Sequence, residues 1–196
     1  MYETILALAV GIGLAASCGF RVFVPLLIAS VAGLLGWMPP SEGFEWLATW
    51  PAATALGIAT ALEIGAYYIP WLDNLLDSIS SPTAVAAGVL VVAASAVEVD
   101  PLLKWSVAVI AGGGSAGVIS LGTAGVRTLS TGFTAGLGNA VVATGEWVSA
   151  VLLSLLAIVA PLLAVVVSAV LVVVLGRFAW RLLSRLFRRQ AAVEST

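Results

Sequence analysis

The chain has 196 residues, 61% of them hydrophobic and only 9% charged, with a mean hydropathy of +1.14. Soluble domains carry about 25% charged residues, so too few charges are present here to build a water-facing surface. The net charge is only −2, the absence of histidine argues against a histidine-ligated metal, and the single cysteine, Cys18, excludes an intrachain disulfide and a cysteine-rich metal centre.

The apolar residues fall in runs of about 18 to 30, each able to cross a hydrocarbon core of about 30 Å. They lack the period-two alternation of a membrane β-barrel. The expectation is an all-α polytopic membrane protein of about six transmembrane helices, forming a single transmembrane domain over residues 1–189. The first four residues carry Glu3 and neither Lys nor Arg, unlike the basic start of a secretory signal.

A first segment, 5–37, is too long for one straight crossing. Gly19, Arg21 and Pro25 inside it predict a broken helix or a re-entrant hairpin bent near Cys18 to Pro25. The loop 38–50 follows, where Trp46 and Trp50, with Trp37 before them, read as interfacial anchors. A second segment opens at Pro51, a good first helical position, and ends at Pro70. Residues 71–77, with Asp73, Asn74 and Asp77, read as a short amphipathic piece at the interface. A third segment runs over 82–97. A fourth, 102–127, is interrupted by Gly112, Gly113, Gly114 and Ser115, and a Gly/Ser/Thr-rich loop, 128–138, follows. The fifth covers 139–159, and Pro161 opens the sixth, which reaches Gly176. Five of the eight basic residues lie beyond it. Set among Phe178, Trp180, Leu182, Leu183, Leu186 and Phe187, they make 177–189 a basic amphipathic helix suited to an anionic leaflet. Residues 190–196 read as a disordered polar tail. The arginines place the C-terminus in the cytoplasm. Six true crossings would put the N-terminus there too, whereas a re-entrant first or fourth segment leaves that open.

Ser17-Cys18-Gly19-Phe20-Arg21 matches Thr123-Ala124-Gly125-Val126-Arg127 as Ser/Thr-x-Gly-x-Arg. A Gly-Phe pair follows each arginine, and after it comes a helix with one glutamate, Glu63 or Glu146. The chain then reads as two three-segment repeats, 1–100 and 101–189. An odd number of crossings per unit makes them inverted, an arrangement found in transporters with interrupted helices and sites at the midplane.

Arg21, Glu63, Arg127 and Glu146 are the ionisable residues that cannot be assigned to loops. A charge at a helix centre costs about 2.5–3.5 kcal/mol on insertion scales, so such residues face the bundle interior and pair. Glu63 lies about 18 Å along its helix from Pro51, near mid-bilayer. Thr60 and Tyr67 share its face, Asn139 shares that of Glu146, and Ser17 and Thr123 each precede an arginine by one turn. One reading is two buried ion pairs, such as Arg21 with Glu63 and Arg127 with Glu146, that fix helix register. Another is a polar midplane site in which the arginines hold an anion and the glutamates exchange protons. A third has some of the charges snorkelling to the interface. The Gly112–Gly114 run lacks the Gly-Lys-Ser/Thr of a phosphate loop.

Three stretches carry a resemblance: Gly11-Ile-Gly-Leu-Ala-Ala-Ser-Cys-Gly-Phe-Arg-Val-Phe-Val-Pro25, Glu63-Ile-Gly-Ala-Tyr-Tyr-Ile-Pro-Trp-Leu-Asp-Asn-Leu-Leu-Asp77, and Ala111-Gly-Gly-Gly-Ser-Ala-Gly117. With Gly138-Asn139 and Glu146, the chain up to Gly176 resembles the uncharacterised bacterial membrane family designated domain of unknown function 4126. The resemblance implies location and architecture, not a substrate.

Function is therefore expected from the charges. Arg21, Arg127, Glu63, Glu146, Ser17, Thr123, Tyr67 and Asn139 are the expected binding residues of a transporter-like protein in a bacterial inner membrane. It would take a small anionic or amphiphilic solute, possess no enzymatic activity, and need no cofactor, metal or nucleic acid. Membrane lipids are its expected partners, and a bundle this small gains from a second copy, a homodimer, to enclose a site. The alternatives are a non-transporting scaffold or assembly factor with structural charges, and a channel.

Overall fold

In the computed structural model the described residues are 2–66, 69–135 and 137–194, with side chains described except for 70–75, 77, 78, 183 and 185–194. These residues form helices α1 (Tyr2–Cys18), α2 (Phe23–Leu34), α3 (Trp50–Ala66), α4 (Pro70–Ser95), α5 (Pro101–Val107), α6 (Gly114–Thr134), α7 (Asn139–Val159) and α8 (Pro161–Glu194). A 3-10 turn, Glu45–Ala48, precedes α3, and a π-helical turn, Ala108–Gly113, joins α5 to α6. Pro101–Thr134, Asn139–Val159 and Pro161–Leu182 are long and apolar enough to cross a membrane; Tyr2–Cys18, Phe23–Leu34 and Ile79–Ser95 are shorter apolar helices. By length and apolarity, six full crossings are not reached among the described residues.

The break in the first segment falls at Gly19–Val22, where the backbone leaves α1 through tight turns from Gly19, Phe20 and Arg21 back to Ala16 and Ser17. Pro25 stands in the first turn of α2, where a missing N–H costs no helical bond. α1 and α2 form a hairpin. Glu3 and Thr4 at its beginning line the same cavity as Trp37, Met38 and Pro39 after its end, so both arms open at one end of the bundle. The bend Gly19–Val22 is its tip.

Directions follow from packing. Gly11 faces Val92 and Ser95, while Cys18 shares a cavity with Ala84, so α1 runs antiparallel to α4. Gly112 faces Gly88 and Ser120 bonds Ser81, so α6 is antiparallel to α4 as well. α1 and α6 therefore point the same way. A two-fold axis in the membrane plane would reverse one against the other, so the arms bearing Arg21 and Arg127 are not inverted relatives.

Other boundaries also differ from expectation. The fourth segment is not broken at its glycines: they sit in and after the π turn, and the helix continues to Thr134 through most of the expected loop, ending where Ala135 turns left-handed at φ 52°. The expected surface piece 71–77 and the third segment are one helix, α4, passing through Pro82. α8 runs on past Gly176 to Glu194, so the tail helix is a continuation of the sixth segment. The amphipathic faces of 185–189, and Asp73, Asn74 and Asp77, are side chains outside the described set.

Small residues let the helices touch. A methyl placed on Gly88 would lie 2.6 Å from the Gly112 carbonyl oxygen, and one on Gly19 would lie 2.6 Å from Ile119 Cβ. Close backbone approach of this kind drives helix association where water supplies no hydrophobic force between helices. Around it sit Leu14, Val91, Val92 and Ile119, all fully buried. Trp37, Trp46, Trp50 and Trp105 are exposed at the end where the hairpin opens, as interfacial anchors are.

Candidate functional site

The four intramembrane charges are all buried, with exposures of 2% for Arg21, 4% for Arg127, 6% for Glu146 and 9% for Glu63. They gather at the tip of the α1–α2 hairpin. Glu146 of α7 is the shared acceptor. Arg21 Nη2 donates to its Oε2 at 2.9 Å and to the Ala143 carbonyl at 3.2 Å. Arg127 Nε donates to Glu146 Oε1 at 3.0 Å, and its Nη2 donates to Oε2. The expected Arg127–Glu146 pair is present, but Arg21 does not pair with Glu63.

Glu63 has another task. Its Oε1 accepts from Val22 N at 3.0 Å and its Oε2 from Phe23 N at 3.1 Å. These are donors at the start of α2 that no helical carbonyl can satisfy. A carboxylate there meets both the unpaired N–H groups and the positive end of the helix dipole. No local side chain caps α2, so α3 reaches across to supply the cap.

The site does not lie midway along the helices. Glu63 is in the last turn of α3 and Glu146 near the start of α7, about 10 Å along the helix from Asn139. Phe178 and Leu182, which flank Arg181, pack at Gly125, level with Arg127. The charges thus sit toward the arginine-bearing end of the molecule.

A small polar cavity of about 20 Å³ joins the elements, its wall including Glu63, Arg127, Glu146, Thr123, Ser80 and Ser120. That is room for about one water. Of the remaining expected residues, Thr123 lines the cavity with its hydroxyl turned to the Ser120 carbonyl. Ser17 is fully buried and donates to the Gly13 carbonyl within α1. Asn139 bonds Thr131 at 3.1 Å across the α6–α7 turn, away from the cluster. Tyr67 lies outside the described residues. Sequence reasoning missed Ser80, Ser120 and the cavity-lining Cys18. Ser120, Thr123 and Arg127 follow helical spacing, so the polar stripe on α6 could have been found; Ser80 carries no such signal. Among the described residues, no three of Cys, Asp and Glu gather where a metal could sit.

Residues 8–181 match the family described as domain of unknown function DUF4126. The chain belongs to that family. No curated protein and no solved structure matches it. The DUF4126 match takes in the hairpin, all four buried charges and the cavity between them, so these are features of the family's region of the chain.

Proposed function

We propose that this protein is a proton-coupled membrane carrier for an anionic or amphiphilic solute, with no enzymatic role. The observation that supports it best is Glu63. Its carboxylate occupies the N-terminus of α2, next in sequence to Arg21, in the place an incoming oxyanion would take. An arriving anion displaces that carboxylate, which takes up one proton and leaves the charge of the site unchanged. Anion and proton then leave together. Arg21 and Arg127 hold the anion, and Glu146 orients them. Lipids surround the bundle, a second copy helps enclose the site, and the arginine-rich end faces the cytoplasm of a bacterial inner membrane.

The test uses liposomes containing a trapped pH indicator, with dodecyl phosphate or inorganic phosphate added outside. The wild type acidifies the interior faster than protein-free liposomes, and Glu63→Gln, which keeps shape but cannot carry the proton, falls to the protein-free rate. Full activity in Glu63→Gln would remove proton coupling through this residue.

A scaffold role is favoured by one observation, the room for about one water among directly bonded charges. It predicts no proton movement with either probe, together with loss of stability in Arg21→Ala.

A further inference from the structure

Between α3 and α4 lies an apolar groove of about 670 Å³, lined by Leu62 and Gly65 of α3, by Ile69 just before α4, by Ile79 and Thr83 of α4, and by Phe23. Its volume is within the range of about 300–1,000 Å³ typical of small-molecule sites. Leu62, Gly65, Ile69, Ile79 and Thr83 are exposed on the flank of the bundle, the side that a surrounding bilayer would meet. Glu63 and Ser80 belong both to this groove and to the polar cavity beside Arg127 and Glu146. The groove therefore leads from the lipid-facing flank to the carboxylate on the α2 N-terminus.

We infer that this groove holds the chain of an anionic amphiphile, one oxyanionic head on a single long apolar tail, which reaches the charges sideways from the membrane. The inference rests on the carrier reading and narrows its substrate class. A small hydrophilic anion would have no use for an apolar wall leading to the site. A neutral lipid would have no use for amides already shaped around a carboxylate. An amphiphile uses both: its head replaces Glu63 at Val22 N and Phe23 N, and its tail lies along Leu62, Gly65 and Ile79. Charge complementarity at the inner end and apolar complementarity along the wall select the same molecule.

Gly65 allows a clean test. It lies in the groove wall, and a Cβ built there meets nothing within 4 Å. Gly65→Phe therefore brings a ring into the groove from a position where the added Cβ meets no neighbour. The full chain is placed in phosphatidylcholine nanodiscs with dodecyl phosphate carrying a diazirine midway along its tail, and adducts are mapped after illumination. The expected adducts lie within residues 59–83. Excess unlabelled dodecyl phosphate reduces them at least fivefold, whereas dodecanol and inorganic phosphate change them less than twofold. Gly65→Phe lowers labelling at least fivefold, and Gly65→Ala stays within twofold of wild type. Equal competition by dodecanol, or adducts spread evenly over the lipid-facing helices, would overturn the inference. So would a covalent dimer formed from a benzophenone side chain at position 62, which would make a second copy the occupant. The two readings fail separately. Glu63-dependent proton movement with inorganic phosphate but no groove labelling removes the groove alone. Groove labelling with no proton movement removes the carrier alone.

Discussion

Glu146 accepts from Arg21 and from Arg127, so its removal strips a carboxylate from two buried guanidiniums at once. Removing one partner of a buried pair costs about 3–5 kcal/mol, because the charge left behind has lost its compensation in a low-dielectric setting. Glu146→Leu is expected at the upper end of that range. Arg21→Met is expected to cost less, since Glu146 keeps Arg127. Unfolding of both variants in detergent micelles checks the order; equal losses would mean that Glu146 serves only one arginine. The four charges could be picked out in the sequence because an ionisable residue inside an apolar run has few places to go. Of their pairing, Arg127 with Glu146 could be read and the rest could not. The Arg21–Glu146 contact joins residues 125 positions apart, and Glu63 binds backbone amides, which every residue but proline offers and no motif marks.

At the scale of helices, the glycines divide into those that touch and those that do not. Gly88 and Gly112 cross with no room for a methyl, whereas Gly145 in α7 has nothing within 4 Å of a built Cβ. Gly88→Ala is expected to destabilise by about 1–3 kcal/mol through overpacking. Gly145→Ala is expected to stabilise by up to about 1 kcal/mol, because alanine is the better helix former. The same unfolding measurement reads both, and a stabilising Gly88→Ala would refute the tight crossing. The contrast also explains a misread element. Gly112–Gly114 looks like a helix break in the sequence, but two of these glycines serve close approach, Gly112 to Gly88 of α4 and Gly113 to Val89. Pro82 looks like a helix start, yet α4 passes through it. Thr83 Oγ1 donates to the Ile79 carbonyl at 2.6 Å, so a polar side chain serves the backbone beside the proline, and the Ser81 hydroxyl ties the same turn to the Ser120 hydroxyl of α6. The break at Gly19–Val22 was legible because glycine, a charge and proline coincide there, and no neighbour restores the helix.

For the whole molecule the decisive quantity is which end faces the cytoplasm. The α1–α2 hairpin opens at the end bearing Trp37, Trp46 and Trp50, and α8 starts at that end, since Pro161 lines the cavity that Glu3 also lines. α8 then carries Arg177 and Arg181 to the other end, where Phe178 and Leu182 pack on Gly125. Because the hairpin returns to its own side, Tyr2 and the C-terminal helix lie at opposite ends, unlike an even count of full crossings. With the α8 end in the cytoplasm, as proposed from the arginine bias, Tyr2 and the 38–48 loop are expected outside. Cysteine labelling of intact cells by a membrane-impermeant maleimide tests this. The native Cys18 is only 1% exposed and gives little background. Glu42→Cys, on the exposed loop, is expected to label in intact cells. Arg181→Cys, exposed on α8, is expected to label only after the membrane is permeabilised. Both positions labelling from outside would break the opposite-ends arrangement itself. The reverse pattern would keep the arrangement and turn the molecule over, leaving the buried charges and the mouth of the groove nearest the outer leaflet.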